Sequence, residues 1–200
     1  MADMAHIEVD DAAVRRMFAA VQSRAKHLAP FYKGTGIIVR DSVQHNFDVG
    51  GRYSAVGSWR GGSNRWKPLS ADTLLRSLSS KKYMKKSGAL TMHGRAAAAR
   101  RMPLFASGLL QQSMSFNVTS DGVEVGTNKV YAATQNFGAK NRVIKEKNKK
   151  TLAFFFGGAQ RFPKQVTVNI PARPFMVVQD EDMERIKALG AKYVIEGVVE

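Results

Sequence analysis

The sequence predicts an α+β fold: N-terminal helices, an antiparallel β-sheet in the second half, and a C-terminal helix packed on the sheet. Three observations predict it. Apolar residues recur at helical spacing up to Phe47, they alternate at period two from Met114 to Val125, and helical spacing returns after Asp180 behind a cluster of acids. The chain has 200 residues, 44% of them hydrophobic, and no internal repeat, so one domain with one core is expected.

The helical part is placed at about residues 10–47. Asp10 and Asp11 stand where a helix cap belongs, and Val14, Met17, Phe18, Val21 and Leu28 follow on one helical face. Pro30 ends or restarts that helix. A second amphipathic segment runs from Phe31 to Phe47 and offers Ile37, Ile38, Val43 and Phe47 for burial. Residues 48–65 hold Gly50, Gly51, Gly57, Gly61 and Gly62 among aromatics, which predicts a flexible loop or an irregular hairpin. Ser70 or Asp72 starts a short helix through Leu74, Leu75 and Leu78. The alanine run Ala96–Ala99 favours another, expected to continue through Met102 and Leu104 to Leu110.

Met114, Phe116 and Val118 then alternate, Asp121-Gly122 makes a turn, and Val123 and Val125 alternate again, which is a hairpin signal. Tyr131–Phe137 reads as a short helix. Residues 139–151 read as a basic, mobile loop, because Ala139–Lys150 holds six basic residues and one acid. Leu152–Phe156 and Gln165–Ile170 read as strands. Pro171 and Pro174 fix φ and remove two donors, so the segment that holds them suits an edge or an exit. Asp180, Glu181 and Asp182 suit the positive end of the last helix, and Met183, Ile186, Tyr193 and Val194 give it an apolar stripe.

Lys and Arg number 31 against 16 Asp and Glu, a formal charge of +15. Val49–Ser120 contains twelve basic residues and one acid, Asp72, whereas Asp180–Glu200 contains six acids and three bases. Such a balance points to a polyanionic neighbour, or with equal force to a solvated basic surface or one that meets acidic patches on other subunits. The chain has no cysteine, which excludes disulfides, thiolate metal sites and a Cys nucleophile. His6, His27, His45 and His93 are scattered without metal-ligand spacing. Ser, His and Asp occur in no recognised nucleophile context, and the only dense acid cluster is explained as a helix start, so a catalytic role and a cofactor are not expected. Met1–Asp11 carries four acids and no Lys or Arg, opposite to a secretory signal, and no apolar run is long enough for a membrane span.

Five short motifs, in order, resemble the phage virion morphogenesis family, which includes tail completion proteins. Trp66-Lys67-Pro68-Leu69-Ser70 with Thr73 resembles its W-x-P-L-S-x-x-T. Leu104 with Ser107-Gly108-Leu109-Leu110-Gln111-Gln112-Ser113 resembles I-L-x-x-(S/T)-G-x-L-x-x-S. Val123-Glu124-Val125-Gly126 resembles V-x-V-G. Tyr131-Ala132 with Gln135-Asn136-Phe137-Gly138 resembles Y-A-x-x-(H/Q)-x-x-G. Ile170-Pro171-Ala172-Arg173-Pro174-Phe175 resembles I-P-A-R-P-F and is the sharpest of the five. The match covers about Trp66 to Tyr193. Arg52–Arg65 and the basic Lys81–Arg101 are longer than the family pattern.

The resemblance implies a structural virion protein, a tail completion, terminator or neck subunit that joins tail to head. The partners it implies are further copies in a closed ring, six-fold favoured over twelve-fold, with neck, connector and tail-tube proteins around it and genomic DNA in the lumen. No membrane partner is expected, and the location is the virion, with the host cytoplasm during assembly. The alternative is a non-enzymatic DNA-binding protein. Candidate contact residues lie in three places. Arg52, Trp59, Arg60, Arg65 and Trp66 interleave charge with aromatic surface, suited to base stacking or to a protein interface. Lys140, Arg142, Lys145 and Lys147 form the basic run. Arg173 and Phe175 stand on the proline-stiffened segment; spacing alone reads Arg173 as an ordinary surface arginine, the resemblance implies an ion pair within the subunit or across an interface, and Phe175 is expected as a buried anchor.

Overall fold

The computed structural model describes residues 11–146, 151–156 and 159–199. The mixed α+β class predicted from the sequence is the class observed. Helices α1 (Ala12–Lys26) and α2 (Ala29–Asp48) come first, with Pro30 in the first turn of α2, where its missing donor costs nothing. Helix α3 (Ala71–Ser77) is capped by the Ser70 side chain, which accepts from the Thr73 N–H. Helix α4 (Met92–Ala99) is capped in the same way by Thr91. Helix α5 (Leu109–Gln112) leads into the hairpin of β1 (Ser115–Val118) and β2 (Val123–Gly126). Helix α6 (Ala132–Phe137) and strands β3 (Ala139–Lys145), β4 (Phe154–Phe156), β5 (Ala159–Arg161) and β6 (Gln165–Ile170) follow, and α7 (Asp180–Glu196) closes the chain.

Helix α2 is central. One side of it takes α7 and another takes the β1–β2 hairpin. Gly36 makes the second contact possible: a Cβ there would lie 2.4 Å from the Phe116 ring. The expectation that the C-terminal helix packs on the sheet is therefore corrected. α7 packs on α2 and touches α1, because α2 stands between it and the hairpin.

The sheet is also divided. The described strands form three two-stranded antiparallel ribbons, β1–β2, β3–β6 and β4–β5. β3 occupies much of the region expected to be a basic loop. Its register against β6 runs from Ala139↔Ile170 to Lys145↔Gln165, with a bulge before Arg142. Asn141 takes a φ of 51° in that bulge, and its N–H donates to Asn169 Oδ1 at 2.7 Å. Gly138, at φ 76°, turns α6 into β3, and a Cβ there would meet the backbone of Ala172 and Ile170 at 2.8 Å. The helix expected to run from the alanine stretch to Leu110 is broken instead. α4 stops at Ala99, and Pro103 and the left-handed Leu104 (φ 63°) separate it from α5.

The core gathers Val43 and Phe47 of α2 with Trp66, Leu110, Met114, Ala132 and Phe175. Phe47 lies 5.5 Å from Trp66, edge to face, and 5.2 Å from Phe175, ring centroid to centroid. Among the described residues, much of the apolar face of α1 has no such partner. Val14, Met17 and Phe18 are 49%, 54% and 62% exposed, and α1 has no buried residue.

Phe175 is 1% exposed and touches the ring that also holds Trp66 in place. Phe175→Ala is expected to lower unfolding free energy by about 3 kcal/mol or more, read by urea denaturation. An unchanged midpoint would show that the residue is not the anchor of this core.

Candidate functional site

Residues 171–179, between β6 and α7, form an extended strap that crosses the core without joining a sheet over most of its length. A buried strap must find partners for its backbone groups elsewhere. Here side chains supply many of them. Trp66 Nε1 donates to the Pro174 carbonyl at 2.7 Å. Asn46 Nδ2 donates to the carbonyls of Phe175 and Val177 at 3.0 and 3.1 Å. Asn136 Oδ1 accepts from the N–H groups of Phe175 and Met176 at 2.9 and 3.1 Å. The Arg173 N–H donates to the Gln135 carbonyl at 2.9 Å. Residues 48–65 form an irregular hairpin that clasps the far end: Gly61 N–H donates to the Val178 carbonyl, and Val178 N–H donates to the Trp59 carbonyl.

The end of the strap opens into a polar cluster. Gln179 and Asp182 form a capping box at the start of α7. Asp182 also accepts a short hydrogen bond from the Ser42 hydroxyl. Arg52 reaches into the same place: its Nε donates to Asn46 Oδ1 at 3.0 Å, one terminal nitrogen to Ser42 Oγ at 3.2 Å, and the other to Glu181 at 2.9 Å. Ser42 is thus buried and held between a carboxylate and a guanidinium. The carboxylate that accepts from the Ser42 hydroxyl is also tied to the Gln179 N–H in the cap of α7, and both side chains are buried. Among the described residues no cluster of three or more His, Asp or Glu could hold a metal ion.

The structure separates the sequence candidates into two sets. Arg52, Arg65, Trp66, Arg173 and Phe175 are used within the chain. Arg65 donates to the carbonyls of Val49 and Gly51, and Trp66 and Phe175 are buried in the core. Trp59 and Arg60 stay exposed, with the Arg60 guanidinium 5.4 Å from the Trp59 ring, beside the first turn of α7. Lys140, Arg142 and Lys145 are exposed along β3, where Arg142 donates to Thr134 Oγ1 at 2.9 Å. Lys147 lies outside the described residues. Asn46, Asn136, Ser42 and Gln179 were not singled out by the sequence reading. Asn136 sits inside a recognised motif, which was the available signal; the others carried none.

Arg173 has an unusual setting. It is 7% exposed, and its expected ion pair is absent among the described residues. Its guanidinium donates instead to the carbonyls of Lys67 and Pro68 at 3.2 and 3.3 Å. Burial lowers its pKa below the ordinary arginine value. The side chain lines an open cleft of about 810 Å³, whose apolar walls include Leu69, Leu104, Leu110, Tyr131 and Ile170.

The described residues form a small α+β body organised around a side-chain-bonded strap, with exposed surfaces on α1 and β3. The chain belongs to the phage virion morphogenesis family, whose model matches residues 9–194. No curated protein and no solved structure matches it. Membership gives the chain a structural or assembly role in the phage virion. No described helix is long and apolar enough to cross a membrane.

Asn46 is fully buried and satisfies two strap carbonyls and Arg52 together. Asn46→Ala is expected to cost about 3 kcal/mol, since it leaves several buried groups unpaired. Thermal melting checks this; a loss below about 1 kcal/mol would mean that water replaces the amide.

Proposed function

We propose that the chain is a ring subunit at the head–tail junction or tail end, a completion, terminator or neck piece that joins tail to head and lets DNA pass. The observation that carries this reading is the pairing of family membership with surfaces the fold leaves uncovered at opposite parts of the chain, the apolar stripe of α1 and the basic ribbon of β3. Identical subunits that meet through two different surfaces make head-to-tail contacts, and these close into rings when the rotation permits. Lys140, Arg142 and Lys145 project from a short two-stranded ribbon, a form suited to a mild positive lumen or to acidic neighbours. Tight DNA binding would impede passage of the genome, so the ribbon contributes charge without a specific site.

The net charge of +15 supports a second reading, a free DNA-binding protein. The two readings separate by mass and by salt. The ring reading predicts a closed oligomer of the purified protein, alone or on tail-tube and connector partners, measured by light scattering or native mass spectrometry. A monomer that ignores both partners, and binds DNA with an affinity falling steeply with salt, would replace it with the second. Lys140→Gln with Arg142→Gln and Lys145→Gln is expected to leave the oligomer mass unchanged. Loss of the oligomer in that triple variant would assign the ribbon to the subunit contact instead of the lumen.

A further inference from the structure

Two features of the molecule remain unused by its own fold. The first is the cleft around Arg173. A guanidinium offers five N–H donors, and this one spends two on carbonyls while its remaining terminal nitrogen has no partner among the described residues. A buried arginine without a carboxylate is costly, and a bidentate carboxylate is the ligand its geometry suits best. The apolar walls add a requirement: the carboxylate must arrive on a segment with apolar side chains beside it.

The second feature is α1. Its C-terminal end is tied to the body, where Arg24 donates to the carbonyls of Val194 and Ile195 and the Tyr193 hydroxyl donates to the His27 carbonyl. Toward the other end of this helix of about 22 Å, Val14, Met17 and Phe18 stay exposed. Residues 1–10 precede it and lie outside the described residues. Their sequence carries Asp3, Glu8 and Asp10, no Lys or Arg, and the apolar Ile7 and Val9 flanking Glu8. This acid-and-apolar pattern is the complement of the cleft, in a chain whose net charge is +15.

We infer that the N-terminal segment of one copy seats in the Arg173 cleft of its neighbour, with a carboxylate of residues 3–10 on the guanidinium and the apolar stripe of α1 covered in the same contact. The inference rests on the ring reading and names its subunit contact. A contact between two different surfaces of the same chain is head-to-tail by construction. It also explains why Arg173 is held rigidly by Lys67 and Pro68 and still lacks a counterion: the counterion belongs to the next subunit.

The absence of cysteine makes the test clean. Full-length Val9→Cys and Ser107→Cys proteins are prepared separately, Ser107 being an exposed residue of the cleft wall. They are mixed, assembled alone or on tail-tube proteins, and oxidised. The expected product is a disulfide-linked pair containing one chain of each kind, identified by mass. The double variant should give chains linked to one another rather than internal loops. Asp3→Asn with Glu8→Gln and Asp10→Asn, introduced into the Val9→Cys chain, should lower the yield about tenfold, and Arg173→Gln in the Ser107→Cys chain should do the same. The acid variants alter residues outside the core, so they remain informative if Arg173→Gln does not fold. Rings that form without the link, or links only within one chain, overturn this contact and leave the ring standing. Monomers without the link overturn both. An unchanged yield after acid neutralisation overturns the carboxylate–Arg173 pairing.

Discussion

The fold depends on one constraint, the need to satisfy the backbone of a buried strap that has no sheet to join. Residues 171–179 pass through the core between α2, α6 and the hairpin of residues 48–65, and each neighbour meets them with a polar group. Trp66, Asn46 and Asn136 supply five hydrogen bonds to strap backbone atoms. Neutral hydrogen bonds of this kind contribute about 1 kcal/mol each when made and cost more when left unmade. The asymmetry matters more than the sum. It ties α2, Trp66 and α6 to one register of the strap, because a slip by one residue would strand several buried groups at once.

From this constraint the remaining anatomy follows. The two prolines of the strap have no N–H to satisfy, which reduces what the neighbours must supply. Phe175 is aimed into the core between them and α7, against Phe47, while Arg173 is turned toward Lys67 and Pro68. Gln179 ends the strap and begins α7 through its reciprocal cap with Asp182, so helix α7 is placed by the same segment that orders the core. What this hub does not cover is equally definite. α1 leaves its apolar stripe in solvent, and β3 presents its basic side chains. In the proposed ring these are the surfaces available for neighbours.

Local features of the fold were legible in the sequence. The restart at Pro30, the Ser70 cap, the Asp121-Gly122 turn and the acidic start of α7 each depend on a few adjacent residues, and each is observed. The motif from Ile170 to Phe175 could be recognised, but its partners could not. Nothing in the sequence reading marked Asn46 or Asn136 for burial, and only long-range pairing makes them buried donors and acceptors. The basic run after Gly138 read as a loop because it is dense in charge, while the structure pairs it with β6 as a strand exposed from Lys140 onward. The alanine run suggested a longer helix than exists, since helix propensity carries no information about the turn that Leu104 makes. Of the candidate residues, Trp59, Arg60 and the β3 bases are exposed. Arg52, Arg65 and Trp66 became internal ties, because an arginine's stem and fork suit buried carbonyls as well as partners.

The central claim is that a strap-centred body carries uncovered surfaces made for assembly. Amide hydrogen exchange, measured by mass spectrometry on the free protein and on the assembled particle, tests it most directly. The account predicts that residues 173–178 exchange slowly in both states, near the global stability of the fold. It predicts that α1 exchanges quickly in the free protein and gains protection only on assembly. Equal protection of α1 in both states, or a strap that exchanges as fast as the surface turns, would contradict it.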